Sequence, residues 1–385
     1  MVQITKLVSA LAGLASLGVA HPGHNVEVEA AERAAYLKST SPQSRSLARC
    51  LPKMRKRGME DFNIARRENA VRQLRQKRSL STGASYLKAR DMDSVLATDH
   101  HSNRTGLNPE TDAAVLFASG GTCIVQPEVT QGPYYVGGEF VRKNVVESQR
   151  GIPLYMDIQL IDTNTCEPLP EIYTDIWHCN ATVRCLLGVI ANGNGNENDT
   201  SNEDTTFLRG VQPSDNEGVV QFETIFPGHY TGRAPHIHVV THPKNETRVL
   251  ANGTIAGLHG IYDTRASHVG QLFFDQDLIT AVEKNRPYST NTQSLTKNSD
   301  DSIMETEADT TDPVMEYVYL GDSASDGIFA WISIGINNKK DEYESAEGWL
   351  TEEGGVENEN FSMDMAGMGS IGSMISTASS AASTA

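Results

Sequence analysis

A chain of 385 residues, 38% hydrophobic and 21% charged, has the composition of a globular protein and not of a disordered or collagen-like one. Its net charge of −17 excludes general nucleic-acid binding, which needs a basic footprint. No run of ~18 apolar residues exists to cross a membrane as a helix.

The elements follow in chain order. Residues 1–20 place Lys6 before an apolar run through Leu11, Leu14 and Leu17, and end in the small residues Gly18-Val19-Ala20. That is the pattern of a secretory signal peptide cleaved before His21, so the chain is expected to be secreted. Six N-x-[ST] sequons, at Asn103, Asn180, Asn198, Asn245, Asn252 and Asn360, fit a glycosylated exported protein. Residues 21–105 form a basic arm: the first 90 residues carry a charge of +11 and the rest −28. The arm contains two helix-like stretches, Val26–Lys38 and Met59–Leu80, and the dibasic pairs Arg66-Arg67 and Lys77-Arg78. Two expectations follow, a pro-segment docked on the acidic remainder by charge, or a basic helix that stays attached.

Residues 106–345 are expected to form one all-β domain. Leu154, Met156, Ile158 and Leu160 alternate with Tyr155, Asp157 and Gln159, and similar alternation runs through Val220, Phe222, Thr224 and through Phe329, Trp331, Ser333. Turn signals at Gly132-Pro133, Gly137-Gly138 and Pro227-Gly228 punctuate these runs, as in a sandwich or barrel. Asn192–Asp204 reads as a long exposed loop. Residues 346–385 read as a low-complexity tail, with Met363, Met365 and Met368 at the start of its Ser/Ala/Gly-rich part. Five cysteines are an odd number for an exported chain; without Cys185, the cysteines Cys50, Cys123, Cys166 and Cys179 allow two disulfides in three pairings.

The strongest local signal is Phe226-Pro-Gly-His-Tyr-Thr-Gly-Arg-Ala-Pro-His-Ile-His-Val-Val. Residues i and i+2 of a strand share a face, so His236 and His238 bring two imidazoles together. Imidazole is the commonest protein metal ligand, and Tyr230 adds a hard oxygen suited to a trivalent cation. This string resembles the metal site of the intradiol ring-cleavage dioxygenases, which open catechols between their two hydroxyls. Four further stretches carry the resemblance across about residues 120–340: Pro127–Tyr135, Thr165–Pro168, Asp175–Cys179 and His268–Phe274. The leader and basic arm are similar to the secreted fungal branch.

The resemblance implies an antiparallel β-sandwich with a mononuclear non-haem Fe(III) held by two Tyr and two His. It also implies a catechol-type phenolic substrate with O2, muconate-type diacid products and, as one assembly, a homodimer; no nucleic-acid or membrane partner is expected. Carried over by position, His236 and His238 are metal ligands, Tyr230 is the Tyr that leaves when substrate binds, Arg233 stabilises negative charge on the substrate, and Gln271 supports the site from behind. One ligand is missing. Where the family has its permanent Tyr, this chain reads Asn180-Ala-Thr-Val-Arg-Cys-Leu-Leu-Gly188, which puts Leu186 in that place. Either Val183–Leu187 is a reading-frame or splice error, or the site has three protein ligands and the chain is a secreted metal- or phenolic-binding protein with impaired turnover. A copper site built on an N-terminal His21 is the competing enzyme reading, and the charged stretch after His21 argues against it.

Overall fold

The computed structural model describes residues 31, 47–82, 123–124, 135–182, 205–308, 312–344, 346–352 and 354–358. The signal segment, Val26–Lys38 apart from residue 31, Leu186 with its neighbours, the Asn192–Asp204 loop, the methionine cluster, and the sequons at Asn103, Asn198 and Asn360 lie outside the described residues.

The described chain is mostly β-sheet with few helices. Strands β1 (Cys123–Ile124), β2 (Val136–Gly137), β3 (Pro153–Asp162), β4 (Tyr173–Trp177), β5 (Arg209–Pro213), β6 (Val219–Ile225) and β7 (His236–His242) come first. They are followed by β8 (Thr247–Val249), β9 (Ile255–Gly257), β10 (Arg265–Ala266), β11 (His268–Phe273), β12 (Glu316–Tyr319) and β13 (Ile328–Ile336). Strands β14 (Glu342–Tyr343), β15 (Gly348–Thr351) and β16 (Gly354–Glu357) complete the order, the last two past residue 345; β15 pairs with both β16 and β2 and buries Trp349.

A five-stranded sheet runs β1-β13-β3-β6 with β12 on the flank of β13, and a four-stranded sheet runs β11-β7-β4-β5. The alternation read in β3 is real: Leu154, Met156, Ile158 and Leu160 enter one large apolar cluster with Ile328, Ile332 and Ile334 of β13 and Phe222 of β6. The four-stranded sheet contributes Ile176, Ile237, Val239 and Leu272 to the same cluster. Each of these buried aliphatic side chains contributes roughly 1.5–3 kcal/mol of transfer free energy, so the joint cluster is what binds the two sheets. The expected antiparallel pairing holds throughout the four-stranded sheet. The larger sheet is mixed, however, because β13 runs parallel to β3 from Ile328↔Leu154 to Ile336↔Asp162. Parallel pairing needs a long crossover, which the chain between β3 and β13 supplies.

The intervening side chains of β3 do not face water as a two-sided alternation would suggest. Asp157 and Gln159 are fully buried, because the basic arm packs on that face. A 3-10 turn (Leu47–Cys50) leads into α1 (Leu51–Lys56) and α2 (Met59–Lys77), the second helix-like stretch. Helix α2 buries Met59, Asn63, Arg67, Val71 and Arg75, a stripe at intervals of four that is helical in period but largely polar. Val71 meets Phe329, Trp331 and Tyr155, while Met59 packs with Leu47, Met54 and Ile161. The polar side chains of the helix find partners across the interface: Asn63 donates to Gln159 (2.8 Å), Arg75 to the Leu320 carbonyl (2.8 Å), and the neighbouring Arg66 grips Asp157 through two nitrogens (2.7 and 3.1 Å). Arg67 lies 3.4 Å from the same carboxylate and over the Trp331 ring; burial lowers its pKa to about 10. Of the three disulfide pairings left open, the structure makes Cys50–Cys166, which ties the arm to the turn after β3. Cys179 is also disulfide-bonded.

This docking predicts a measurable cost. Asp157→Ala removes the buried carboxylate that answers both Arg66 and the fully buried Arg67, which should destabilise the protein by about 3–5 kcal/mol in a urea melt. A change below ~1 kcal/mol, the size of an exposed ion pair, would show that these contacts do not hold the helix.

Candidate metal centre

The predicted Pro-Gly turn does position the motif. Gly228 approaches so near the Asn180 carbonyl that a Cβ would lie 2.0 Å from its oxygen, so no other residue fits there. His229 then anchors the loop, with Nδ1 2.8 Å from Glu283 of α3 (Gln276–Glu283) and Nε2 3.1 Å from the Gln293 carbonyl. Burial acts to lower the His229 pKa, but the Glu283 carboxylate and the Gln293 carbonyl outweigh it and raise the pKa above the usual histidine value. Gly232, at φ +95°, turns the chain back so that Tyr230 stands over the first residue of β7.

There three donor atoms converge. Tyr230 Oη lies 3.3 Å from His236 Nε2, which lies 3.1 Å from His238 Nε2, and all three residues are at most 5% exposed. The Nδ1 of His236 is 2.7 Å from the Ala234 carbonyl, an acceptor only, so Nδ1 carries the proton and Nε2 presents a lone pair. A single lone pair is poorly shared between a tyrosine hydroxyl on one side and a second imidazole on the other. A cation between them satisfies all three. Two ligands with bonds of ~2.1 Å to one ion stand ~3.0–3.4 Å apart at angles near 90–110°, which is the spacing found here. One hard phenol oxygen and two imidazoles suit ferric iron better than soft copper(I) or a calcium-type cage. Among the described residues no group of three or more His, Cys, Asp or Glu forms a metal site, because the third donor is a tyrosine.

The outer residues of the four-stranded sheet form one continuous rung. Trp177 of β4 stands opposite Arg209 of β5 and His238 of β7, and His238 stands opposite Gln271 of β11. The Trp177 ring lies parallel to the His238 imidazole at 4.7 Å and 6°, fixing its plane. Gln271 Oε1 accepts from an Arg233 terminal nitrogen at 2.5 Å. The structure thus brings all five sequence-predicted residues, Tyr230, Arg233, His236, His238 and Gln271, into one buried group.

Tyr135, considered beside Tyr134 as a stand-in for the missing phenolate, is buried against Trp177 and His242, one step away from the converging donors. Burial, with Asp175, Glu344 and Glu139 nearby, raises its pKa well above that of a free tyrosine, so it stays a phenol there. Tyr134 and Leu186 lie outside the described residues.

Sequence reading missed two features. One is Asp301, whose carboxylate accepts from Arg233 Nε (2.9 Å) and from the Ala234 amide (2.8 Å). Its place just before a short helix marks it as an N-cap, but nothing local ties it to Arg233. The other is the buried ionisable group behind Trp177, made of Glu139, Asp175, Arg209 and His242, whose members come from four separate segments. Burial raises the pKa of Glu139 to about 8 against the pull of Arg209, and that of Glu347 to about 8. His178 lies nearby but is committed elsewhere, bonding the Cys179 carbonyl and Thr224 at 2.8 Å each; burial lowers its pKa to about 4.

No protein-family description and no curated protein matches the chain. Among solved structures it is similar to an intradiol ring-cleavage dioxygenase from Tetranychus urticae, at 27% identity over 56% of this chain and 96% of that one, with a TM-score of 0.45. It is also similar to the dioxygenase domain of a dioxygenase–carbohydrate-binding fusion from Streptomyces sp. SirexAA-E, at 20% identity over 55% and 97%, with a TM-score of 0.31. Both TM-scores are below 0.5, so the functional reading is carried by the residues of the site.

Proposed function

We propose that this chain is a secreted, Fe(III)-dependent intradiol dioxygenase on a β-sandwich, opening catechol-type rings with O2 to muconate-type diacids. The observation that carries the reading is the convergence of Tyr230 Oη, His236 Nε2 and His238 Nε2 beside the buried guanidinium of Arg233. Tyr230, His236 and His238 would hold the ion, which when bound supplies Lewis-acid activation of the catecholate. As a phenolate, Tyr230 Oη would take the proton of an incoming catechol hydroxyl. Arg233 balances the negative charge that collects on the bound ring. Trp177 and the surrounding apolar side chains Val240 and Val269 keep water from the sheet face, which strengthens that charge interaction.

Loading the secreted protein with iron and recording its visible spectrum and oxygen uptake with catechol tests this. Tyrosinate-to-iron charge transfer should colour the protein, and catechol should be consumed with O2. A colourless, iron-free preparation without uptake would overturn the reading. A second reading rests on Leu186 in the place of the permanent Tyr: a binder of iron or phenolics without turnover. It is distinguished by colour and a catechol-induced spectral shift with no oxygen consumption.

A further inference from the structure

We infer that Asp301 is the positioning residue of this site, setting both the Arg233 guanidinium and the His236 ring through one carboxylate; the inference rests on the proposed dioxygenase reading for its kinetic part only. Asp301 is 1% exposed and precedes the short helix α4 (Ser302–Ala308). Each of its oxygens has a separate task. Oδ1 accepts from the Ile303 and Met304 amides (2.9 and 3.0 Å), closing the first turn of α4. Oδ2 accepts from Arg233 Nε (2.9 Å) and the Ala234 amide (2.8 Å).

The second set reaches the metal ligands along two short routes. Arg233, held at Nε, passes a terminal nitrogen to Gln271, which stands opposite His238 in the β11–β7 register. Ala234, held at its amide, turns its carbonyl to Nδ1 of His236 at 2.7 Å and so fixes the tautomer that presents Nε2. A buried arginine in a turn commonly answers any nearby acid, and Asp301 by itself would be only that. What sets it apart is that the same oxygen also holds the peptide on which the His236 ring depends.

Because the two oxygens divide the work, Asp301→Asn separates them. An Asn retains Oδ1 and remains a good helix cap, while its NH2 replaces Oδ2 and faces two N–H donors. In metal-free protein, long-range 15N correlation of the imidazole should show His236 protonated at Nδ1 in the wild type. In D301N the ring should give mixed tautomers; the melting temperature should also fall, because the substitution takes a counter-charge from the buried Arg233 guanidinium, so the tautomer is read well below it. This readout is independent of turnover, so it holds even where the dioxygenase reading fails. In iron-loaded protein, D301N should lose about 10–100-fold in iron affinity, the range for outer partners of metal ligands. Its kcat for catechol should fall with KM little changed, and in an Arg233→Ala background the same substitution should lower kcat much less than it does alone. A D301N protein with an unaltered His236 tautomer and wild-type iron affinity would overturn the inference. So would equal kcat losses from D301N with and without Arg233.

Discussion

His236→Ala is expected to abolish tight iron binding, lowering affinity at least ~100-fold, the upper end of what outer partners alone contribute, and to remove the visible colour and oxygen uptake with it. His238→Ala should do the same. Each removes one of two imidazoles whose Nε2 atoms are 3.1 Å apart, and a single remaining imidazole with Tyr230 cannot enclose an ion. The metal-free variants carry a second, less obvious expectation. In the absence of a cation the lone pair of His236 Nε2 faces both His238 Nε2 and Tyr230 Oη, an arrangement that favours binding over stability. Removing one ring relieves that crowding, so the metal-free variants should melt no lower than metal-free wild type by more than a few degrees. His238→Ala should be the more costly of the two, because it also removes the stack on Trp177. Iron analysis and calorimetry of paired preparations check both statements. An alanine variant holding one iron per chain at wild-type affinity would show that these residues are not the ligands.

Much of this arrangement was legible in the sequence because it is local. His236 and His238 differ by two positions in a strand, so period alone puts them on one face, and Tyr230 lies six residues before the first of them; the role of Arg233 came with the family resemblance. Gln271 arrives from a neighbouring strand in a fixed register, which only the family resemblance anticipated. Asp301 and the acidic group were not legible, since their partners lie far along the chain: Arg233 and Asp301 are 68 residues apart, Glu139 and Arg209 are 70 apart. The arm shows the same limit differently. The helical period of α2 is carried by Asn63, Arg67 and Arg75, so a search for apolar periodicity sees a solvated basic helix. Asp157 and Gln159, polar members of an alternating strand, look solvent-facing until that helix is laid upon them. Sheet direction is the third case: nothing in β3 or β13 taken singly marks them as parallel.

The buried acids should make the metal-free protein lose stability as pH rises from about 6.5 to 8. Glu139 has one oxygen 3.4 Å from Arg209 and the other without a hydrogen-bond partner among the described residues, and one Glu347 oxygen is likewise unmatched. For both, burial raises the folded pKa from 4.5 to about 8. The native state therefore holds protons that the unfolded chain has released. This contribution is whole below pH 4.5 and is lost as pH climbs through 8. His178 and His268 act oppositely, since burial lowers their pKa values to about 4 and about 3, and stability from them rises with pH until 6.5. Between 4.5 and 6.5 the two effects offset each other; above 6.5 the acids stand alone but for His229. Its raised pKa, set against burial by Glu283 and the Gln293 carbonyl, adds a loss of the same sign. At 1.36 kcal/mol per pH unit per proton, two carboxyl groups over that interval amount to at most ~4 kcal/mol, and partial exposure of Glu347 brings the expectation to ~2–3 kcal/mol. Urea melts at pH 6.5 and 8 measure it directly. Glu139→Gln with Glu347→Gln should flatten most of the slope, because an amide keeps the shape and carries no titrating proton, leaving the shares of His229 and of Asp175, whose pKa burial also raises. A slope unchanged in the double variant would place these carboxylates in their ionised form in the folded protein, with Arg209 outweighing burial.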